Sequence, residues 1–319
     1  MTDKGLFLII QIPCLNEETT LPVTLRDIPR TIPGISRIER LIINDGSTDS
    51  TIEVARAHGV EHIISFPKRK GLARAFEAGV EEALGLGADI VVNTDGDNQY
   101  KGEDIITLVR PIVEGRADIV IGNRDIDNIG HFSFIKKKLQ RAGSWVIRQV
   151  SGTDIPDATT GFRAYSRKAL LEMNIVSKFS YTLETIISAG KKDLAIANVS
   201  IRVNKPLRTS RLYTNVFHYI FKSASTILRI YTMYEALRVF MLIGTLIFSG
   251  GVVLCLRYLY YRIFELNPSG HIQSLILAAV LLIVGFQIMV FSLLADLISS
   301  NRKLIEDALT KIKKIHWGR

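Results

Sequence analysis

Short apolar runs rich in Ile and Val recur along the N-terminal part of the chain. They are "LFLIIQI" (6–12), "IERLIIN" (38–44), "EHIISF" (61–66), "ADIVVNT" (88–94) and "ADIVIGN" (117–123). Their lengths and β-branched content predict buried strands. Between them the apolar positions change to helical spacing, as in "STDSTIEVARAHG" and "GLARAFEAGVEEALGLG". Strands alternating with helices predict an α/β domain with a mostly parallel sheet over residues 1–203. Ligands of such domains bind beyond the carboxyl ends of the strands, so polar residues there are the candidates for chemistry.

The pattern changes completely towards the C-terminus. "VFMLIGTLIFSGGVVLCL" (239–256) and "SLILAAVLLIVGFQIMVFSLLA" (274–295) carry no charge. The first spans roughly 27 Å as a helix, close to the hydrocarbon thickness of a bilayer. Two transmembrane helices are predicted within 239–298, in preference to two buried helices of a globular core. Gly244, Gly250, Gly251 and Gly285 would let such helices approach closely. Tyr258, Tyr260 and Tyr261 form an interfacial aromatic cluster in the connecting stretch. The 299–319 tail is basic, and so is 204–238, where Lys and Arg interleave with aromatic and aliphatic residues. This predicts amphipathic helices at headgroup level. By the positive-inside rule the α/β domain and both termini are cytoplasmic and the short loop lies outside, across the cell membrane.

Composition narrows the class. The chain has 319 residues, a formal net charge of +9 and 47% hydrophobic residues. Soluble nucleic-acid binders are rarely so apolar, and no nucleic-acid partner is expected. Cys14 and Cys255 are far apart and suggest neither a disulfide framework nor a zinc site, which points to reducing surroundings. The N-terminus lacks the features of a cleaved signal and reads as a first strand. The histidines show no metal-ligand spacing. Neither a G-x-S-x-G elbow nor a Walker sequence is present.

Three strand ends carry unusual residues: "PCLNEE" (13–18), "NDGSTDST" (44–51) and "NTDGDNQY" (93–100). The first two also suit turns into helices, with Ser47 or Asp49 as caps. In the third, Asp95 and Asp97 flank a glycine and can turn both carboxylates towards one point. Such hard oxygen ligands suit Mg²⁺ or Mn²⁺, which commonly bind one or two carboxylates plus substrate phosphates. Gln99 adds a neutral oxygen in reach of the same ion. A pair of solvated loop aspartates fits the spacing as well.

Taken in order, these motifs resemble the inverting glycosyltransferases of family 2. The resemblance implies a GT-A fold, a nucleotide-sugar-binding α/β domain. Asp45 matches the acid that holds the nucleobase, and Asp95 and Asp97 match the DxD acids that hold a metal on the diphosphate. Pro13, Asn16 and Glu17 match the donor-side "PxxNE". Lys70 and Gly71, in "KRKGLARAFEAG", match a helix start that is also a natural anion site. "PDATTGFRAYSRKAL" (156–170) is similar to the "D--SGFR" segment of polyprenyl- and dolichyl-phosphate glycosyltransferases. It covers Asp157, Thr160, Gly161, Phe162 and Arg163. "RTSRL" (208–212) is similar to that group's basic "R--SK" element, with Arg211 for the usual Lys.

The implied activity is transfer of a sugar from a UDP- or GDP-linked donor to an undecaprenyl- or dolichyl-type lipid phosphate, with one inversion. Arg163, Arg208, Ser210, Arg211 and Thr160 are then candidates for gripping the acceptor phosphate, because an Arg fork binds phosphate bidentately. Arg124, which ends "IGNR", is a further candidate for the active site. The acceptor phosphate is largely ionised at neutral pH, so no strong general base is required. A glycan or other lipid hydroxyl as acceptor remains an alternative, although no "Q--RW" follows; so does a non-catalytic membrane scaffold. A homo-oligomer is compatible with the sequence.

Overall fold

The first strand, β1 (Leu6–Cys14), is buried along most of its length. Both of its faces are therefore covered, as its unbroken apolar sequence requires. It lies centrally in a seven-stranded sheet, seen in a computed structural model that describes residues 5–124, 143–149, 151–173, 181–205, 235–264 and 272–318, with scattered residues between 221 and 232. The further strands are β2 (Ile35–Asn44), β3 (His62–Ser65), β4 (Ile90–Asn93), β5 (Ile119–Asn123), β6 (Arg163–Ser166) and β7 (Ile196–Ser200). Their order is β3-β2-β1-β4-β6-β5-β7. All neighbours are parallel except β6, which runs antiparallel between β4 and β5. Five of the strands coincide with the apolar runs of the sequence. The strands β6 and β7 do not, because "RAYS" and "IANVS" are short and mixed in polarity.

Helices α1 (Leu21–Asp27), α2 (Thr51–Ala57), α3 (Leu72–Leu86) and α4 (Ile105–Val113) follow β1, β2, β3 and β4. They are joined by α5 (Arg167–Glu172) and α6 (Tyr181–Lys191). Helix α3 packs so closely on β1 that a Cβ at Gly79 would lie 2.4 Å from Gln11 Oε1. Gly87, in left-handed backbone, caps the C-terminal end of α3, and Arg167 donates to the carbonyl of the next residue, Ala88, at 2.8 Å.

Two long helices follow, α7 (Ala236–Ile263) and α8 (Ile272–Trp317). Both are long and apolar enough to cross a membrane. They approach closely where glycine replaces bulk. A Cβ at Gly285 would lie 2.6 Å from the Phe248 nitrogen, and one at Gly251 would lie 2.9 Å from the Leu282 nitrogen. Gly244 is equally tight, against Met289, whereas Gly250 has only Leu281 within 4 Å, at 3.9 Å. The chain divides into two compact units, Met1–Ile227 with Thr310–Arg319, and Leu228–Leu309. The basic end of α8 thus belongs with the α/β unit. There Lys313 Nζ donates to the Met173 carbonyl at 2.9 Å, and the Trp317 carbonyl accepts from Arg167.

Candidate active site

The loops that leave β1, β2 and β4 are stitched to one another by their own polar side chains. Asn16, in left-handed backbone at φ 55°, donates its N–H to Ser47 Oγ at 2.9 Å and accepts from the Thr48 N–H at 2.8 Å. The Glu17 N–H donates to Thr51 Oγ1 at 2.8 Å, and the Ser50 N–H donates to the Glu18 carboxylate at 3.0 Å. "PCLNEE" and "NDGSTDST" therefore hold each other. The third loop is tied in through Gly96, whose carbonyl oxygen lies 3.0 Å from the Thr20 hydroxyl and 3.1 Å from that of Thr24. The Thr20 hydroxyl also meets the buried Glu17 carboxylate at 2.6 Å. Gly96 has no space for a side chain: a Cβ there would lie 3.0 Å from Cys14 Sγ and 3.4 Å from Glu17 Cγ. Asn16 and Glu17, expected on the donor side, thus hold the loops that carry Asp45, Asp95 and Asp97. Pro13 lies in β1, in register with Ile43.

Acids concentrate at this junction. The buried Cys14 thiol is pushed well above its ordinary value, by burial first and then by the carboxylates of Glu17, Asp95, Asp49 and Asp97. Asp97 is 9% exposed, and Gln99 donates to it from Nε2 at 2.7 Å. A carboxylate only accepts, so the amide must turn its nitrogen towards it. Gln99, expected to offer an oxygen to a metal, also donates its amide nitrogen to Asp97 and so fixes that carboxylate. Asp45 accepts from the backbone N–H of Lys70 at 2.6 Å and of Gly71 at 2.9 Å. The anion at the start of α3 is thus the chain's own carboxylate. The sequence had pointed there to a site for a bound anion. The Lys70 ammonium lies over the Phe66 ring, 4.3 Å from its centre.

The segment 157–163 closes the other side. Asp95 lies against Gly161, where a Cβ would come within 3.4 Å of its Oδ1. Arg124 pairs with the buried Asp157 through two bonds, Nε to Oδ2 at 2.6 Å and Nη2 to Oδ1 at 2.9 Å, and reaches Thr159 Oγ1 at 2.7 Å. Burial opposes the charge on both partners, but their mutual attraction and hydrogen bonds win. Asp157 is held below the usual carboxylate range and Arg124 above its own. Tyr100 stacks on Phe162 with ring centres 4.9 Å apart. Its hydroxyl is pushed up to about 12 by burial and then by Asp95.

Two expectations for the acceptor phosphate are corrected. Arg163 is fully buried, and its guanidinium donates to the carbonyls of Thr160, Ala158 and Thr182 and to Thr185 Oγ1, all within 2.9 Å. A guanidinium enclosed in this way holds the 158–160 loop against α6 and has no surface for a substrate. Thr160 is equally buried, with its hydroxyl accepting from the Phe162 N–H at 3.3 Å. Arg208, Ser210 and Arg211 lie outside the described residues. Sequence reasoning missed Thr20, Thr24, Asn93, Tyr100 and Tyr181. Only the spacing of Thr20 and Thr24, one helical turn apart, offered a signal.

A family model described as "Glycosyl transferase family 2" matches residues 9–173. The chain belongs to glycosyl transferase family 2. The match runs from β1 through α5 and takes in all three strand-end loops of this transferase. A relative from Methanococcus voltae, UDP-N-acetylglucosamine–dolichyl-phosphate N-acetylglucosaminyltransferase, is 28% identical over 224 residues, or 63% of this chain and 86% of that protein. Undecaprenyl-phosphate mannosyltransferase of Micrococcus luteus is 29% identical over 170 residues, or 51% of this chain and 68% of that protein. Among solved structures, glucosyl-3-phosphoglycerate synthase from Mycobacterium tuberculosis was determined in complex with Mn²⁺, UDP and glucosyl-3-phosphoglycerate. It aligns with a TM-score of 0.55 and 19% identity over 72% of this chain and 79% of that one. The fold of this transferase is GT-A-like.

Proposed function

We propose that this family 2 transferase moves a sugar from a UDP- or GDP-linked donor to the phosphate of a polyprenyl lipid, with inversion at the anomeric carbon. The observation that carries the reading is the convergence at Gly96. Asp95 and Asp97 flank it beside the "PCLNEE" loop, which is itself bonded to Asp45's loop, and Asp95 also meets the "DATTGFR" segment at Gly161. The named activities of the Methanococcus and Micrococcus relatives support the lipid-phosphate acceptor.

The donor set at the junction fits a hard divalent cation. Asp95 and Asp97 are hard oxygen donors two residues apart on one loop, with the buried Glu17 carboxylate close to Gly96 between them. Among the described residues no three His, Cys, Asp or Glu side chains group as a metal site. The remaining ligands would be donor phosphates and water, as Mg²⁺ and Mn²⁺ prefer. When bound there, such an ion neutralises the charge that develops on the departing nucleoside diphosphate. Asp97 is held for that task by Gln99, and Asp95 by its contact with Gly161. Arg124 is kept charged and oriented by Asp157 close to Asp95. The lipid phosphate, already ionised, attacks without a strong base. Arg208, Ser210 and Arg211 are proposed to hold it where the chain meets the membrane surface. The two apolar helices cross the cell membrane in this reading, with both termini and the α/β unit cytoplasmic.

The test is purified protein with a panel of UDP- and GDP-sugars and undecaprenyl or dolichyl phosphate, with and without EDTA. One donor should give a lipid-linked sugar and free nucleoside diphosphate, both abolished by EDTA. Asp97→Ala should lose turnover by about a hundredfold or more while remaining in membranes. Release of nucleoside diphosphate with a glycan acceptor alone would replace the lipid-phosphate reading. No release with any donor would end the enzymatic one.

A further inference from the structure

A row of buried polar groups crosses the sheet beneath the site. Gln11 on β1 is in register with Asn93 on β4, and Asn93 with Arg163 on β6. All three are fully buried, where polar groups are costly unless they do something specific. Gln11 Nε2 donates to Asn93 Oδ1 at 3.0 Å, which fixes the Asn93 amide with its nitrogen on the far side. That nitrogen donates to the Gly161 carbonyl at 3.0 Å and to the Tyr181 hydroxyl at 2.8 Å. The Tyr181 hydroxyl donates in turn to the same carbonyl at 3.3 Å. Gly161 is the residue against which the Asp95 carboxylate lies, and Asn93 sits two residues before Asp95 on the same strand end. Asp95 therefore borders one network on two sides, through the strand end that precedes it and through Gly161, beside which its carboxylate lies.

We propose that Asn93 and Tyr181 are positioning residues that set the direction of the Asp95 carboxylate by fixing the Gly161 carbonyl. Tyr181 suits the task because its ring is locked: it stacks on Phe76 with centres 4.1 Å apart and planes within 8°. Burial and nearby negative charge keep its phenol protonated, so it stays a donor. Removing its hydroxyl leaves the stack but takes away one of the two donors on the Gly161 carbonyl and the acceptor that orients the Asn93 amide, which loosens the wall behind Asp95.

The turnover arm of the test rests on the proposed function, and the Mn²⁺ arm does not. Tyr181→Phe is compared with Tyr165→Phe, which removes a hydroxyl from the same aromatic cluster that makes no hydrogen bond to Gly161. Mn²⁺ binding is followed by electron paramagnetic resonance in the presence of UDP or GDP. Turnover is measured with the active donor and polyprenyl phosphate at saturating Mn²⁺. Tyr181→Phe should raise the Mn²⁺ dissociation constant about fivefold and lower kcat about tenfold, with the donor KM within about twofold, as expected for loss of a buried hydrogen bond to a reacting group's support. Tyr165→Phe should alter the melting temperature alone. Equal effects of the two variants, or unchanged Mn²⁺ affinity and kcat in Tyr181→Phe, overturn the proposal. Should Tyr181→Phe not fold, Gly161→Ala crowds the same junction, and unchanged Mn²⁺ affinity in that variant overturns it too. Wild-type protein that binds Mn²⁺ but makes no lipid product sinks the proposed function and leaves the positioning proposal standing on the Mn²⁺ arm. Wild-type protein that binds no Mn²⁺ overturns the positioning proposal.

Discussion

Asp157 has no exposed side-chain surface, and its partner Arg124 has 11%. A pair this enclosed ties folding to pH. The carboxyl is held below its ordinary value, so its contribution is complete above the unfolded-state value, roughly 3.9, and is lost as pH falls through the folded one. Asp157→Asn should cost about 3 kcal/mol at neutral pH, because Arg124 stays buried without its counter-charge. The gap between wild type and variant should close as pH falls below about 4, as read from melting temperatures over a pH series. Arg163 behaves differently although it is the same residue type. Its partners are carbonyls and a hydroxyl, so it serves the 158–160 loop without any carboxylate titration. From the sequence, Arg163 is a candidate for the acceptor phosphate and Arg124 a candidate for the active site. How each is partnered depends on burial, which sequence position alone does not reveal.

Among the elements, the five strands β1 to β5 announced themselves, whereas the antiparallel β6 and the edge strand β7 did not. A strand buried on both faces must be apolar throughout, as "LFLIIQIPC" is, and the pattern is then visible. In β6, Arg163 occupies a buried position, and its charge is accommodated because α6 and the 158–160 loop supply acceptors from outside the strand. The apolar helices show a similar limit. Glycines mark where α7 and α8 can meet, and the sequence offered four of them. Contact uses Gly244, Gly251 and Gly285, because Gly250 has no backbone within reach. Gly285→Val should drive the Phe248 backbone away and destabilise the helix pair by about 1–3 kcal/mol, the usual range for overpacking. Gly250→Val should change little. Thermal unfolding of both variants in detergent separates the two outcomes.

At the scale of the whole molecule, a GT-A-like unit and a pair of apolar helices share one chain, and the end of the last helix returns to the α/β unit. Two helices with uncharged stretches of this length, 239–256 and 274–295, predict a protein retained in membranes after alkaline extraction. Cysteine placed at Ser269, in the short connection, should react with an impermeant maleimide on intact cells. Cysteine at Lys311 should react only after lysis. The reverse pattern would invert the proposed orientation. Lys313, whose amine is held below its ordinary value chiefly by burial, donates to the Met173 carbonyl, and Lys313→Ala should lower the melting temperature.

Periodicity alone determined the class of the domain, most of its strands and the apolar pair, because burial on one or both faces writes itself directly into residue order. Motif order also picked out Asp95 and Asp97, the chemical centre in the proposed function. What only the tertiary structure decided is who serves them. Thr20 and Thr24 on the Gly96 carbonyl, Gln99 on Asp97, and Asn93 and Tyr181 on Gly161 are contacts between segments distant in the chain or groups whose orientation is set by packing. A hydrogen bond depends on direction and on the absence of water. Both are properties of the folded chain, and no local pattern of residues encodes them.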